Sequence, residues 1–181
     1  MESKILKIPV CDLYKSEGDA PMLETIREVE WKNGFSTNQL HSAKSAIDFS
    51  SNVFFSKNRT VEYLFLVAMG NDLVPLMVSK INGTLAGMNK DSLHEICLKC
   101  MLAGASGFIL VTNHVSDKSA ATEAEKSAMY RVRHIAKSVG LDSWDSVIQG
   151  EDGWYSFYEE ELGGSSTLGL KHTDVKRYGP H

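Results

Sequence analysis

Residues 108–125 read FILVTNHVSDKSAATEAE, and this stretch decides the fold. The apolar run 108–112 is typical of a strand that is buried on both faces. A polar segment follows it, and Thr122 then stands where a hydroxyl can cap a helix that apolar positions extend to about residue 139. The stretch therefore predicts a strand, a loop and a helix, with the end of the strand close to the first turn of the helix.

The flanking sequence predicts further elements on both sides of this unit. Runs 61–69 and 73–79 indicate a hairpin, and Ser92 with Glu95 has the form of a capping box that opens a helix. A strand near residues 5–10, in which Pro9 favours an edge position, a helix over about 37–49 and a hairpin over 146–158 complete the pattern. The fold class expected is α/β, with a single mixed β-sheet flanked by helices.

Three segments follow from this pattern. Residues 1–55 are expected to form an N-terminal strand and helix that lead into the domain, and residues 56–162 the core. Residues 163–181 lack hydrophobic periodicity and are predicted to be a mobile C-terminal tail.

Composition limits the classes of function. The chain has 181 residues, 43% of them hydrophobic, which is enough to bury one sizeable core. A formal charge of −4 lacks the cation excess of a strong nucleic-acid binder. No apolar run of about 18 residues and no signal peptide are visible, so a cytoplasmic protein without membrane contact is expected.

Two polar side chains are predicted to meet beside the buried strand. Thr112 and His114 point to one side of the strand, and Asn113 points to the other. Glu125 falls on the inward face of the following helix, in the first turn, where the helix dipole favours an anion. His114 and Glu125 are therefore expected to converge.

The same residues carry a family resemblance. The chain reads Thr112-x-His114, seven residues, Thr122, two residues and Glu125, preceded by the strand VEYLFLVAM with Glu62 and followed by VIQGEDGWYSF. This is similar to the RadC-like JAB/MPN (JAMM) domain family over roughly residues 4–160. The family's signature is H-x-H, seven residues, Ser, two residues and Asp, and its fold has a cytidine-deaminase-like arrangement.

The resemblance implies a zinc-dependent metallohydrolase of the peptidase or isopeptidase type. It assigns His114 and Glu125 to the metal, a supporting hydroxyl to Thr122, and to Glu62 the role of the base that takes a proton from zinc-bound water. The sequence departs from the family at Thr112, where a ligand histidine is expected. Asp117, in the loop after His114, is a possible substitute ligand.

Other interpretations of these residues remain open. Thr122 and Glu125 also form a complete capping box, and His114 can be a loop histidine bonded to backbone. One alternative function is a catalytically inactive JAB-fold module that binds a protein or peptide partner beside residues 112–119. A third is the DNA-repair association of RadC proteins, which the charge does not favour.

Overall fold

The computed structural model describes residues 5–14, 18, 20–32, 39–54, 60–115 and 118–161. The predicted tail and the loop residue Asp117 lie outside these residues. The helix predicted over about 37–49 begins only at Ala43, with Ser42 as its N-cap, and it extends to Val53. The described elements are, in chain order, β1 (Ile5–Tyr14), β2 (Met22–Lys32), α1 (Ala43–Val53), β3 (Leu64–Met69), β4 (Pro75–Ile81), α2 (Lys90–Leu102), β5 (Gly107–Asn113), α3 (Glu123–Ser138), β6 (Asp142–Gln149), β7 (Trp154–Ser156) and α4 (Phe157–Glu161).

The strands form one seven-stranded sheet in the order β2-β1-β4-β3-β5-β6-β7. The pairs β1/β4 and β5/β6 are parallel and the other pairs are antiparallel, so the sheet is mixed. The predicted α/β fold class, a single mixed sheet flanked by helices, is confirmed.

Strand β5 lies inside the sheet, and all seven of its residues are buried. Its side chains alternate between two apolar clusters: Phe108 and Leu110 pack with residues of α2 and α3, whereas Ile109 and Val111 pack with residues of α1. This two-sided burial explains why the sequence of β5 is continuously apolar. It also fixes the face to which each residue at the end of the strand points.

The N-terminal region differs from its prediction. A single strand with Pro9 at the sheet edge was expected, but β1 pairs with β2 on one side and β4 on the other. The outer strand is β2, in which Glu24, Arg27, Glu28 and Glu30 are exposed. Buried Val29 and Trp31 alternate with exposed Glu28 and Glu30, so the strand signal in β2 is confined to the end of the strand.

Helix α2 also begins at a different residue. Its N-cap is Asn89, whose side chain accepts a hydrogen bond from the Ser92 backbone N–H, so the capping box expected at Ser92 and Glu95 is wrong. In the last hairpin, β7 ends at Ser156 and α4 follows it. None of the helices in the described part of the chain is long and apolar enough to cross a membrane.

Candidate functional site

The candidate site lies where β5 ends and α3 begins. His114 directly follows β5, and its backbone N–H donates to the carbonyl of Gln149 at the end of the neighbouring strand β6, at 3.0 Å. Thr122 is the N-cap of α3, and its side chain accepts a hydrogen bond from the backbone N–H of Glu125. The strand–loop–helix unit predicted from residues 108–125 is therefore present, with His114 and Glu125 both buried.

His114 and Glu125 are in direct contact, as expected from the sequence. The distance between His114 Nε2 and Glu125 Oε1 is 2.8 Å, and His114 Nδ1 lies 2.7 Å from the carbonyl oxygen of Lys118. A carbonyl oxygen only accepts, so Nδ1 carries a proton. Nε2 is then the ring nitrogen that faces the carboxylate, and it is also the only one left for a metal ion.

The charge state of His114 follows from its surroundings. Burial acts to lower the pKa of His114, but hydrogen bonds to Glu125 and to the Lys118 carbonyl, together with the nearby charges of Glu125 and Glu62, raise it above its usual value. The raised pKa favours an imidazolium that donates to the Glu125 carboxylate. Because a metal ion binds only neutral imidazole, this ion pair competes with metal binding.

The second carboxylate oxygen of Glu125 also accepts hydrogen bonds. Oε2 accepts from the Thr122 backbone N–H at 2.7 Å and from the Thr122 hydroxyl at 2.8 Å. The capping box considered for Thr122 and Glu125 is thus formed, and such a cap contributes about 1 kcal/mol to the stability of a helix. Glu125 therefore links the helix N-terminus to His114.

The loop that carries Lys118 is held by the β6–β7 turn. The backbone N–H of Ser119 donates to Asp152 Oδ1 at 2.7 Å. A Cβ atom at Gly150 would lie 2.5 Å from the Ser119 nitrogen, so only glycine permits this close approach. These contacts bring the Lys118 carbonyl to His114 Nδ1 and fix the orientation of the imidazole ring.

The hydroxyl of Thr112 is bonded to the backbone and does not contact His114 or Glu125 in the described hydrogen bonds. Its hydroxyl donates to the carbonyl of Tyr63 at 2.8 Å, in the segment just before β3. The next side chain, Asn113, accepts from the Tyr63 backbone N–H and donates to the Val61 carbonyl. These bonds hold residues 61–63 beside β5, and Glu62 is half-buried there, close enough for its charge to act on His114.

The described residues do not fit a catalytic zinc ion. Such a site typically has three protein ligands and a water molecule, and here His114 and Glu125 supply two. Among the described residues, no group of three or more His, Cys, Asp or Glu side chains is arranged to hold a metal ion. Asp117, the predicted substitute ligand, lies outside the described residues, so its role stays a prediction.

Two buried polar groups of the structure were not assigned as site residues from the sequence. Asp145, in β6, is fully buried and accepts from the Ser146 and Tyr158 backbone N–H groups and from the Ser156 hydroxyl. Lys99, in α2, is also fully buried, and its ammonium nitrogen lies within hydrogen-bond distance of four oxygen atoms. A charged residue inside an apolar pattern is the signal that both share.

Comparisons with known proteins agree with the family resemblance of the motif. A family model described as RadC-like JAB domain matches residues 40–162. A UPF0758 protein of Chlorobium phaeovibrioides is 26% identical to the chain over 104 residues, which is 56% of this chain and 46% of that protein. The chain therefore matches just under half the length of that relative.

Proposed function

The chain belongs to the RadC-like JAB domain family, and on that premise we propose that it is a non-catalytic member that binds a protein partner. The observation that carries this proposal is the closed set of hydrogen bonds at the family's metal position. His114 is bonded through both ring nitrogens, Glu125 through both oxygens, and Thr112 through its hydroxyl. Residues at the positions of the family's zinc ligands stabilise the strand–loop–helix unit in this chain.

The surface beside this unit suits an apolar peptide segment. Val61 precedes Glu62 and Val115 follows His114 in sequence, and their exposures are 52% and 50%. Two residues beyond Val61 in sequence, Tyr63 stacks on Phe65, and Phe65 stacks on Phe54 with 3.7 Å between the two ring centroids. All three rings are half-buried, and the two phenylalanines pack against the apolar cluster on the α1 side of the sheet. Aromatic side chains are enriched in protein interfaces, so these rings and the valines form the proposed binding surface.

Substitution of Val61 tests the binding role. Proteins captured by the wild-type chain, by Val61→Asp and by Tyr130→Asp are compared, and each captured protein is then purified and titrated against all three. Tyr130 is the matched control, because it is 76% exposed on α3 and lies outside the proposed surface. A partner that loses at least about tenfold in affinity with Val61→Asp alone supports the proposal. A partner that binds all three proteins equally contradicts it.

A second candidate function is zinc-dependent hydrolysis of a peptide or isopeptide bond. It is supported by the meeting of His114 and Glu125, with Nε2 facing the carboxylate, and by the nearby charge of Glu62. This function needs a third ligand, which Asp117 is proposed to supply.

Restoring the family motif distinguishes the two candidates. The double variant Thr112→His, Glu125→Asp has the family's three ligand types. If the threonine at position 112 is what prevents zinc binding, this variant is expected to bind about one more zinc ion per chain than the wild type. The same variant with His114→Ala is the control. If the wild type already binds zinc as tightly as the double variant, the non-catalytic proposal is wrong.

A further inference from the structure

A cavity lies at the other end of β6 from His114. Its volume is about 390 Å³, and it is lined by residues from the start of β6, from α4 and from the second half of α3. Arg133 and Lys137 on α3 are eight and twelve residues beyond Glu125, which corresponds to about 12 and 18 Å along a helix. The cavity is therefore separate from the candidate site described above.

One wall of this cavity carries a partly desolvated cation. The side chain of Arg133 is 26% exposed, and burial lowers its pKa, although the charge of Asp145 acts to raise it. Lys137, one turn further along α3, is exposed and forms no ion pair with any residue in the described ranges. A guanidinium that has lost part of its water needs an anionic partner.

The present partner of Arg133 is a carboxylate from the chain itself. Glu161 at the end of the five-residue helix α4 forms an ion pair with the Arg133 guanidinium. The Glu161 side chain is itself 61% exposed. An ion pair with such an exposed carboxylate contributes little to stability, so another carboxylate can replace it at small cost.

The lining of the cavity also includes aromatic residues. Trp144 and Tyr158 line the cavity and are largely buried, and a volume of 390 Å³ lies within the range of sites for small molecules. Asp142 also lines the cavity, and its negative charge disfavours a ligand with two negative charges.

We propose that this cavity binds a small monocarboxylate with an aromatic ring. The ring lies against Trp144 and Tyr158, and the carboxylate takes the place of Glu161 on the Arg133 guanidinium, which matches a carboxylate with two parallel N–H donors. The site is independent of the proposed protein-binding surface, because the two surfaces share no residue.

The test uses three probes of one shape and different charge: benzoate, benzamide and benzamidine. Each is titrated to about 10 mM, a range that includes weak small-molecule binding, into the isotope-labelled full chain. The indole N–H signal of Trp144, assigned with Trp144→Phe, is followed by NMR. Benzoate is expected to shift this signal to saturation, and benzamide and benzamidine are expected to bind at least about tenfold more weakly.

Two substitutions are expected to change the affinity for benzoate in opposite directions. Arg133→Gln removes the guanidinium and is expected to weaken benzoate binding by about tenfold or more. Glu161→Gln removes the competing carboxylate and is expected to strengthen it several-fold. Arg131→Gln is the matched control, because Arg131 is on the same helix but bonds to Ser127 and to the Met88 carbonyl.

Equal affinity for benzoate and benzamide, or unchanged benzoate affinity in Glu161→Gln, would overturn the proposal. If Arg133→Gln does not fold, the comparison of wild type with Glu161→Gln still decides the question. Glu161 is exposed, so its substitution leaves the fold intact.

Discussion

Replacement of the buried lysine in α2 provides a quantitative test of how the N-terminal hairpin, formed by β1 and β2, is attached to β4 and α2. Lys99 has no exposed surface, and its Nζ atom lies 3.0 Å from the carboxylate of Asp12 in β1 and 2.6 Å from that of Glu95. It also lies 2.7 Å from the Ser79 hydroxyl and 3.1 Å from the Lys80 carbonyl, both in β4. One ammonium group therefore ties β1, β4 and α2 together.

The change Lys99→Met keeps most of the apolar stem and removes the ammonium group that contacts the four oxygen atoms. Removing one partner of a buried ion pair costs about 3–5 kcal/mol, because the remaining charges are left without compensation. Here Asp12 is 60% exposed and can return to water, whereas Glu95 is 18% exposed and the Ser79 hydroxyl is buried. We therefore expect a value near the lower end, about 3 kcal/mol less free energy of unfolding.

The measurement is urea unfolding of the full chain, followed by circular dichroism. In thermal unfolding, a loss of about 3 kcal/mol corresponds to a fall of about 6–12 °C in Tm for a domain of this size. Lys126→Met is the control, because Lys126 is exposed and pairs with the exposed Glu123, and it should change stability by less than about 1 kcal/mol. A loss below about 1 kcal/mol for Lys99→Met would refute the reasoning.

Three further predictions concern the site and its supports. Because the folded-state pKa of His114 is raised, its contribution to stability is complete below the unfolded pKa of about 6.5 and is lost as pH rises through the folded pKa. The loss of stability caused by His114→Gln should therefore be larger near about pH 5.5 than near about pH 8.5 in urea unfolding, and an equal loss at both would contradict the ion pair. Asp145→Ala should lower the free energy of unfolding by about 3 kcal/mol or more, because it leaves the Ser156 hydroxyl and two backbone N–H groups without their acceptor. Hydrogen exchange of this variant should show loss of protection in α4. Thr122→Ala should lower the free energy of unfolding by about 1–2 kcal/mol, and a change within error would show that the cap does not stabilise α3.

The unit of β5, loop and α3 can be predicted from the sequence, because its local pattern agrees with its burial in the fold. The run 108–112 is apolar on both faces, and β5 is buried on both faces. Thr122 and Glu125 have the capping pattern, and the cap is formed. Where the pattern of a segment reflects its own burial, the sequence predicts the element.

The N-terminal hairpin was not predicted because its stability comes from distant partners. Most of the described side chains of β2 are exposed, and the strand is held by pairing with β1. The acceptors of Lys99 come from β1, β4 and α2, up to 87 positions away in sequence. No window of sequence contains such a network, and a lysine between Leu98 and Cys100 shows only that a charge interrupts an apolar face.

At the candidate site, the sequence predicted the meeting of His114 and Glu125 but not its hydrogen bonds. The spacing of the motif depends on the strand and the first helical turn, which are regular. The contacts of His114 with the Lys118 carbonyl, and of the loop with Gly150, depend on how two turns pack. Thr112 was identified from the family resemblance as a replaced ligand, and its bond to the Tyr63 carbonyl gives that threonine a structural role.

The most direct test of the central claim is the zinc content of the purified, untagged wild-type chain. It is measured by plasma mass spectrometry beside His114→Ala. If His114 and Glu125 form an ion pair rather than a metal site, both proteins carry well below about one zinc ion per chain, and a chelator leaves the wild-type Tm unchanged. Near-stoichiometric zinc in the wild type that is lost in His114→Ala would contradict the non-catalytic account and favour the metallohydrolase.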